Sequence, residues 1–201
     1  MGAAPAFYKA EEQIFLRGSP EDMLAAIDEL GHSQDFLMNV GKHKGKIVAD
    51  LIAQEKPKTV LEIGWYVGSS AIMFGDALRR GGGRRYISLE MNSKIFFDHS
   101  MMSHLNDLKL CQELSLVRPG SVTLADNMRR PGNPLYWEYV RASTKGKVEA
   151  ARPFVNCLKD DVISLGNPLL VYRTTLLEGL EPSGHADAAD VSYCVDEVVS
   201  S

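Results

Sequence analysis

The chain lacks most of the features that decide a function quickly. No apolar run approaches the roughly 18 residues of a membrane span, and no basic segment followed by an apolar one stands near its first residues. These absences lead us to expect neither a membrane segment nor a secretory leader, and so a cytoplasmic protein. Cysteine is scarce. Cys111, Cys157 and Cys194 are scattered and odd in number, which argues against a disulfide framework or a zinc knuckle and fits a reducing compartment. Positive charge is not in excess: 22 Lys and Arg stand against 26 Asp and Glu, for a net charge of −4. Without a basic stripe interleaved with aromatics, nucleic acid is not an expected partner. There is no internal repeat and no low-complexity tract. What remains is 201 residues, 45% hydrophobic and 24% charged, the composition of a soluble globular chain long enough for one substantial core.

The most informative stretch is Val60 to Ala71, VLEIGWYVGSSA. Val60, Leu61 and Ile63 make a short apolar run that ends at Gly64. From Ser69 the apolar period becomes helical, through Ala71, Phe74, Ala77 and Leu78. Strand, glycine turn and helix in that order deliver a ligand to a helix N-terminus. Two nucleotide motifs are missing from it. A P-loop needs lysine after its last glycine, and Ser69 follows Gly68. A dinucleotide fingerprint needs G-x-G-x-x-G, and the spacing here is G-x-x-x-G. The pattern is E-x-G-x-x-x-G, with Glu62 inside the strand end and a second acid, Glu90, closing the next apolar run, Tyr86 to Leu89. Glu90 could take both hydroxyls of a ribose, as in S-adenosyl-L-methionine-dependent methyltransferases. An ordinary βαβ turn would carry the same residues.

The flanks read as follows. Ser19-Pro20-Glu21-Asp22 starts a helix, with Ser as cap, Pro in the first turn and acids against the dipole. A second helix runs from about Gly45 to Gln54, and Pro57 follows it. After Gly81, Gly82 and Gly83 comes the strand Arg84 to Glu90. Phe96, Phe97 and Asp98 read as a strand end, and a helix follows over roughly Met101 to Val117. Ser121 to Ala125 is a strand closed by Asp126-Asn127, a pair that also favours plain turns. Leu135 to Arg141 is a short helix, and Ser143 to Asn167 a polar surface excursion. Leu169 to Leu180 and Asp190 to Val195 form an antiparallel closing pair. The chain is read as one domain over 1–201, with N-terminal helices to residue 56 and an α/β core from 57. His99 and His104 are five apart, which does not place them on one helix face, so a histidine metal site is not expected.

Seven motifs in one order carry a resemblance: MNVGKHKG from Met38, VLEIGWYVGSSA, SLEMN from Ser88, FFDH from Phe96, LADN from Leu124, PGNP from Pro131 and LEPSGHAD from Leu180. In this order they resemble the catechol O-methyltransferase family, with a fungal flavour in the C-terminal part. The resemblance implies a magnesium-dependent enzyme that moves a methyl group from S-adenosyl-L-methionine to a catechol hydroxyl. It implies an α/β, Rossmann-like sheet of seven mostly parallel strands flanked by helices, and a monomer that needs only its small-molecule substrate. Residue by residue, Glu90 matches the ribose acid. Gly64, Tyr66 and Ser70 match the cofactor loop, with Glu62 and Met91 counted beside them. Met38 and Val40 match the cover over the cofactor, and His99 the residue next to the adenine. Asp98, Asp126 and Asn127 match the Mg2+ ligands, oxygen donors of the kind a hard cation takes. Glu181 matches the catalytic acid that binds the second catechol hydroxyl, although an acid before Pro182 is also an ordinary turn residue.

Two departures stand against the resemblance. Ser100 and Met101 follow His99 where the family has an aromatic and then a lysine, the family's general base. Methionine cannot take a proton, and losing a general base costs on the order of 10²–10⁴ in rate. Of the neighbouring groups, His104 alone has a suitable ordinary pKa. Only seven residues separate Glu90 from Asp98, where the family has roughly one βαβ unit more, some 40 residues. Met91 to Phe96 span at most about 21 Å, short of a parallel crossover of a dozen or more residues. The fold is therefore expected to be truncated, with marginal stability and exposed apolar surface around Ile72 and Phe74.

Overall fold

The structure, a computed structural model, describes residues 19–33, 37–64, 66–89, 104–149, 154–155 and 163–198. The chain falls into two compact units, Met1–Phe96 and Phe97–Ser201. Each has its own core.

In the first unit, α1 (Pro20–Ser33) begins where the sequence places it, and the Asp22 N–H donates to Ser19 Oγ at 3.2 Å. α2 (Lys42–Glu55) starts three residues before the expected Gly45, at a Gly41 whose φ of 71° is open to glycine at little cost. Gly45 lies inside the helix because α3 crosses there: a Cβ on it would stand 2.7 Å from Met73 Sδ. β1 (Thr59–Ile63) and β2 (Arg85–Leu89) pair in parallel, Leu61 opposite Ile87 and Ile63 opposite Leu89. Between them runs α3 (Ser69–Arg80), the crossover helix the glycine turn calls for.

Period-two alternation sorts the two strands. Val60 and Tyr86 pack towards Val48, Ile52, Phe74 and Leu78, the core that α2 and α3 supply. Leu61, Ile87 and Leu89 are exposed on the other face. This corrects the expectation for Phe74, which is buried. The N-terminal helices cover α3, so the exposed apolar surface lies on the strands instead.

The second unit is built on an antiparallel sheet in the order β3, β7, β6: β3 (Val122–Ala125), β7 (Ala186–Glu197) and β6 (Leu170–Leu180). Its described helices are α4 (His104–Glu113), α5 (Pro134–Arg141) and α6 (Thr144–Glu149). Leu108, Val117, Ala125, Met128, Tyr136, Val140, Leu170, Ala188 and Cys194 form the core. β7 starts four residues before the expected Asp190. The opening Ala186-Asp187-Ala188-Ala189-Asp190 lacks the period-two pattern of a half-buried strand, because Asp187 and Asp190 are both fully buried. The expected surface excursion over 143–167 also needs correcting. It opens with α6, whose Lys147 is buried, and it contains a two-residue antiparallel pair, β4 (Phe154–Val155) with β5 (Ile163–Ser164). Among the described residues no helix is long and apolar enough to cross a membrane.

Candidate functional site

The glycine turn of the first unit is shaped by three residues in the left-handed region, Gly64 at φ 84°, Tyr66 at 49° and Gly68 at 82°. Glycine adopts such angles without strain; at Tyr66, which carries a Cβ, they are uncommon. The Gly64 N–H donates to Leu89 O at 2.8 Å, which carries the parallel pairing one step past the strand ends. Ser69 and Ser70 open α3, and among the described residues no side-chain cap bonds its N-terminus. Its first amide N–H groups have no partner within the helix, a natural seat for an anionic or polar ligand group. Glu62 accepts from Ser88 Oγ at 2.6 Å across the strand pair. Beside it, burial and then the Glu62 charge push the Tyr86 hydroxyl well above its ordinary pKa. Val40 packs against the core next to Met73, and Met38 is 53% exposed. Glu90 and Met91, which follow Leu89 in the chain, lie outside the described residues, as do Asp98 and His99.

In the second unit β3 ends at a buried Ala125, and the chain turns at Asn127, a non-glycine residue at φ 59°. Asparagine tolerates this conformation better than most residues. A wide turn over Met128–Gly132 follows, closed by the Gly132 N–H on Asn127 O at 3.2 Å. Asn127 Nδ2 donates to Arg130 O and to Glu181 Oε1, both at 3.3 Å. Glu181 opens the tight connection between β6 and β7, where its N–H meets His185 O at 2.9 Å and its carbonyl takes the Gly184 N–H at 2.8 Å. Two expected site residues, 54 positions apart, are thus in contact, with Asp126 preceding one of them. Among the described residues no group of three or more His, Cys, Asp or Glu could hold a metal ion. Asp126 and Asn127 supply two oxygen-bearing side chains of the kind magnesium accepts, and the third expected ligand, Asp98, is not described.

Asp187 was not singled out from the sequence. Its Oδ1 accepts the N–H groups of Arg129 and Arg130 at 3.0 and 2.9 Å, which fixes the turn after Asn127 from below. Arg129 also pairs with Glu178 on β6, and that carboxylate raises the pKa of its guanidinium. Asp190 is held by Arg141 Nη2 and by Ser192 Oγ, each at 2.6 Å. Two acids among the alanines that open β7 were the available signal, since buried acids require partners.

No protein-family model matches the chain. Among characterised proteins it is 31% identical to catechol O-methyltransferase B of Danio rerio over 182 positions, covering 69% of this chain and 68% of that one. It is 28% identical to catechol O-methyltransferase of Bos taurus, covering 66% and 64%. A probable O-methyltransferase of Mycobacterium tuberculosis is 26% identical, covering 62% and 72%. The chain thus spans about two thirds of the length of these relatives. Since 69% of 201 residues is about 139, about 43 of the 182 positions matched to the zebrafish protein face no residue here. Solved O-methyltransferases from Bacillus cereus and Streptomyces achromogenes superpose with TM-scores of 0.47 and 0.48 at 15% and 14% identity, over 90% and 92% of this chain and 94% and 95% of theirs. Those likenesses are too weak to build on, and the zebrafish match is not: the chain belongs to the catechol O-methyltransferase family.

Proposed function

We propose that the chain is an S-adenosyl-L-methionine-dependent O-methyltransferase acting on one hydroxyl of a catechol, with magnesium as its cation. The contact between Asn127 Nδ2 and Glu181 Oε1 is the observation that carries this reading. It sets a side chain fit to hold a cation beside an acid fit to hold a hydroxyl. A catechol has two vicinal oxygens and needs both. Asp126 and Asn127, with Asp98, would hold the magnesium ion, which when bound lowers the pKa of a coordinated hydroxyl. Glu181 would accept the hydrogen bond of the second hydroxyl and fix which oxygen faces the methyl donor. The turn at Gly64, Tyr66 and Ser70, with Glu62, Glu90, Met91 and His99, and with Met38 and Val40 above, would hold that donor. Placement of this kind supplies up to roughly 7–11 kcal/mol of a barrier in favourable cases.

The positions that face no residue of this chain, which we place between Glu90 and Asp98, and Met101 in the lysine position favour a second reading: a non-catalytic family member that keeps part of the ligand site. Calorimetry with S-adenosyl-L-methionine and with magnesium, followed by a catechol methylation assay, separates the two. The enzyme reading expects heat with both ligands and slow turnover that falls on the order of 10²-fold in Glu181→Gln. Heat without turnover leaves the second reading. No heat with either ligand removes both.

A further inference from the structure

With methionine at position 101, a proton acceptor for a catechol hydroxyl would have to come from another side chain, and His104 is the nearest histidine described. The geometry around His104 speaks against that role. Asn133 is 6% exposed and caps α5: its Oδ1 accepts the Tyr136 N–H at 3.2 Å. With the amide oxygen committed, the group turned towards His104 is the NH2, and it lies 3.0 Å from His104 Nδ1. An amide N–H can only donate, so Nδ1 must accept, and the ring proton sits on Nε2. A proton on Nδ1 would set two N–H groups against each other.

We propose that His104 is held by Asn133 as the neutral Nε2–H tautomer and serves as a positioning residue rather than as a replacement base. It ties the first residue of α4 to Asn133, which directly follows the turn that Gly132 closes on Asn127. The positioning role rests on the reading of Asp126, Asn127 and Glu181 as the methyl-acceptor site; the tautomer does not. The edge of Tyr136 on α5 also meets the ring, with ring centres 6.5 Å apart at 81°. The Asn133 amide acts directly on the nitrogen that would be protonated.

Long-range proton–nitrogen correlation spectra of the full chain with labelled histidine test this, with His104→Gln to assign the signal. The expected result at neutral pH is an unprotonated Nδ1 and a protonated Nε2. Asn133→Asp keeps the cap on Tyr136 but offers an oxygen to the ring, so it should move the proton to Nδ1. An Nδ1–H signal in the unsubstituted chain overturns the proposal. For the positioning role, His104→Gln retains an acceptor for Asn133 and should leave the Asn127 and Gly132 amide signals in place, whereas His104→Phe should shift them. Any other pattern refutes that role. None of these readouts depends on turnover, so a failed methylation assay leaves the result standing.

Discussion

A carboxylate with no exposed surface keeps its charge only if its oxygens are bonded, and Asp187 meets that condition by holding the two N–H groups that follow Met128. Asp187→Ala strands both donors. It should cost about 1–3 kcal/mol on chemical denaturation, and Asp187→Asn, which keeps one acceptor oxygen, should cost less. Lys147 shows the opposite economy. Its ammonium donates to Leu170 O at 2.7 Å and lies over the rings of Tyr139 and Tyr172, at 5.2 and 4.8 Å from their centres. Burial still pushes its pKa from 10.5 down to about 8. Between those two values Lys147 is more protonated in the unfolded chain than in the folded one, so its own contribution to stability rises with pH through that window, while cysteines and tyrosines whose pKa values are raised by burial act in the opposite direction. Lys109, lowered by burial as Lys147 is, adds to the Lys147 contribution. The slope of stability against pH from 7.5 to 10.5 should be lower in Lys147→Met than in the unsubstituted chain, and an unchanged slope would refute the assignment. Single residues of this kind were hard to read from sequence. Asn127 and Glu181 stood out through their motifs, whereas Asp187 and Lys147 look like surface residues until their partners are known.

Helices and strands were more legible than their ends. The Ser19 cap, the glycine turn before α3 and the antiparallel pairing of β6 with β7 all follow from local chemistry. α2 began early because its glycine serves a crossing helix rather than a break, and packing of that sort leaves no local mark. Two glycines separate steric cost from propensity. At Gly45 a methyl group meets the flexible end of Met73, and alanine's better helix propensity offsets part of the clash, for a net loss of about 1 kcal/mol. At Gly83 it meets Leu78 Cδ1 at 2.1 Å and Cγ at 2.4 Å in a side chain that is 3% exposed, with no helix to gain from. Thermal melts should rank Gly83→Ala well below Gly45→Ala.

For the molecule as a whole, the strand pair of the first unit leaves Leu61, Ile87 and Leu89 36–52% exposed on one face. An apolar strand face in water adds no burial to set against the entropy of ordering it. The full chain should therefore bind a hydrophobic dye in its native state and melt below about 45 °C, the low end for mesophilic domains. A cooperative melt well above that temperature, without dye binding, would show the face to be covered. The order of the motifs made the family readable without any of this. What the sequence could not convey was which surfaces a shortened chain leaves bare, because that depends on neighbours a short motif does not encode. Synthesis order adds a constraint of its own. β3 pairs through Ala125 with Asp190, and Asp187 pins the turn that holds Asn127. A ribosome must therefore deliver some sixty further residues before the Asp126–Asn127 turn can find either support, so this turn is among the last parts of the molecule to take shape, and a product cut short before Asp187 would carry its motif residues without their anchor.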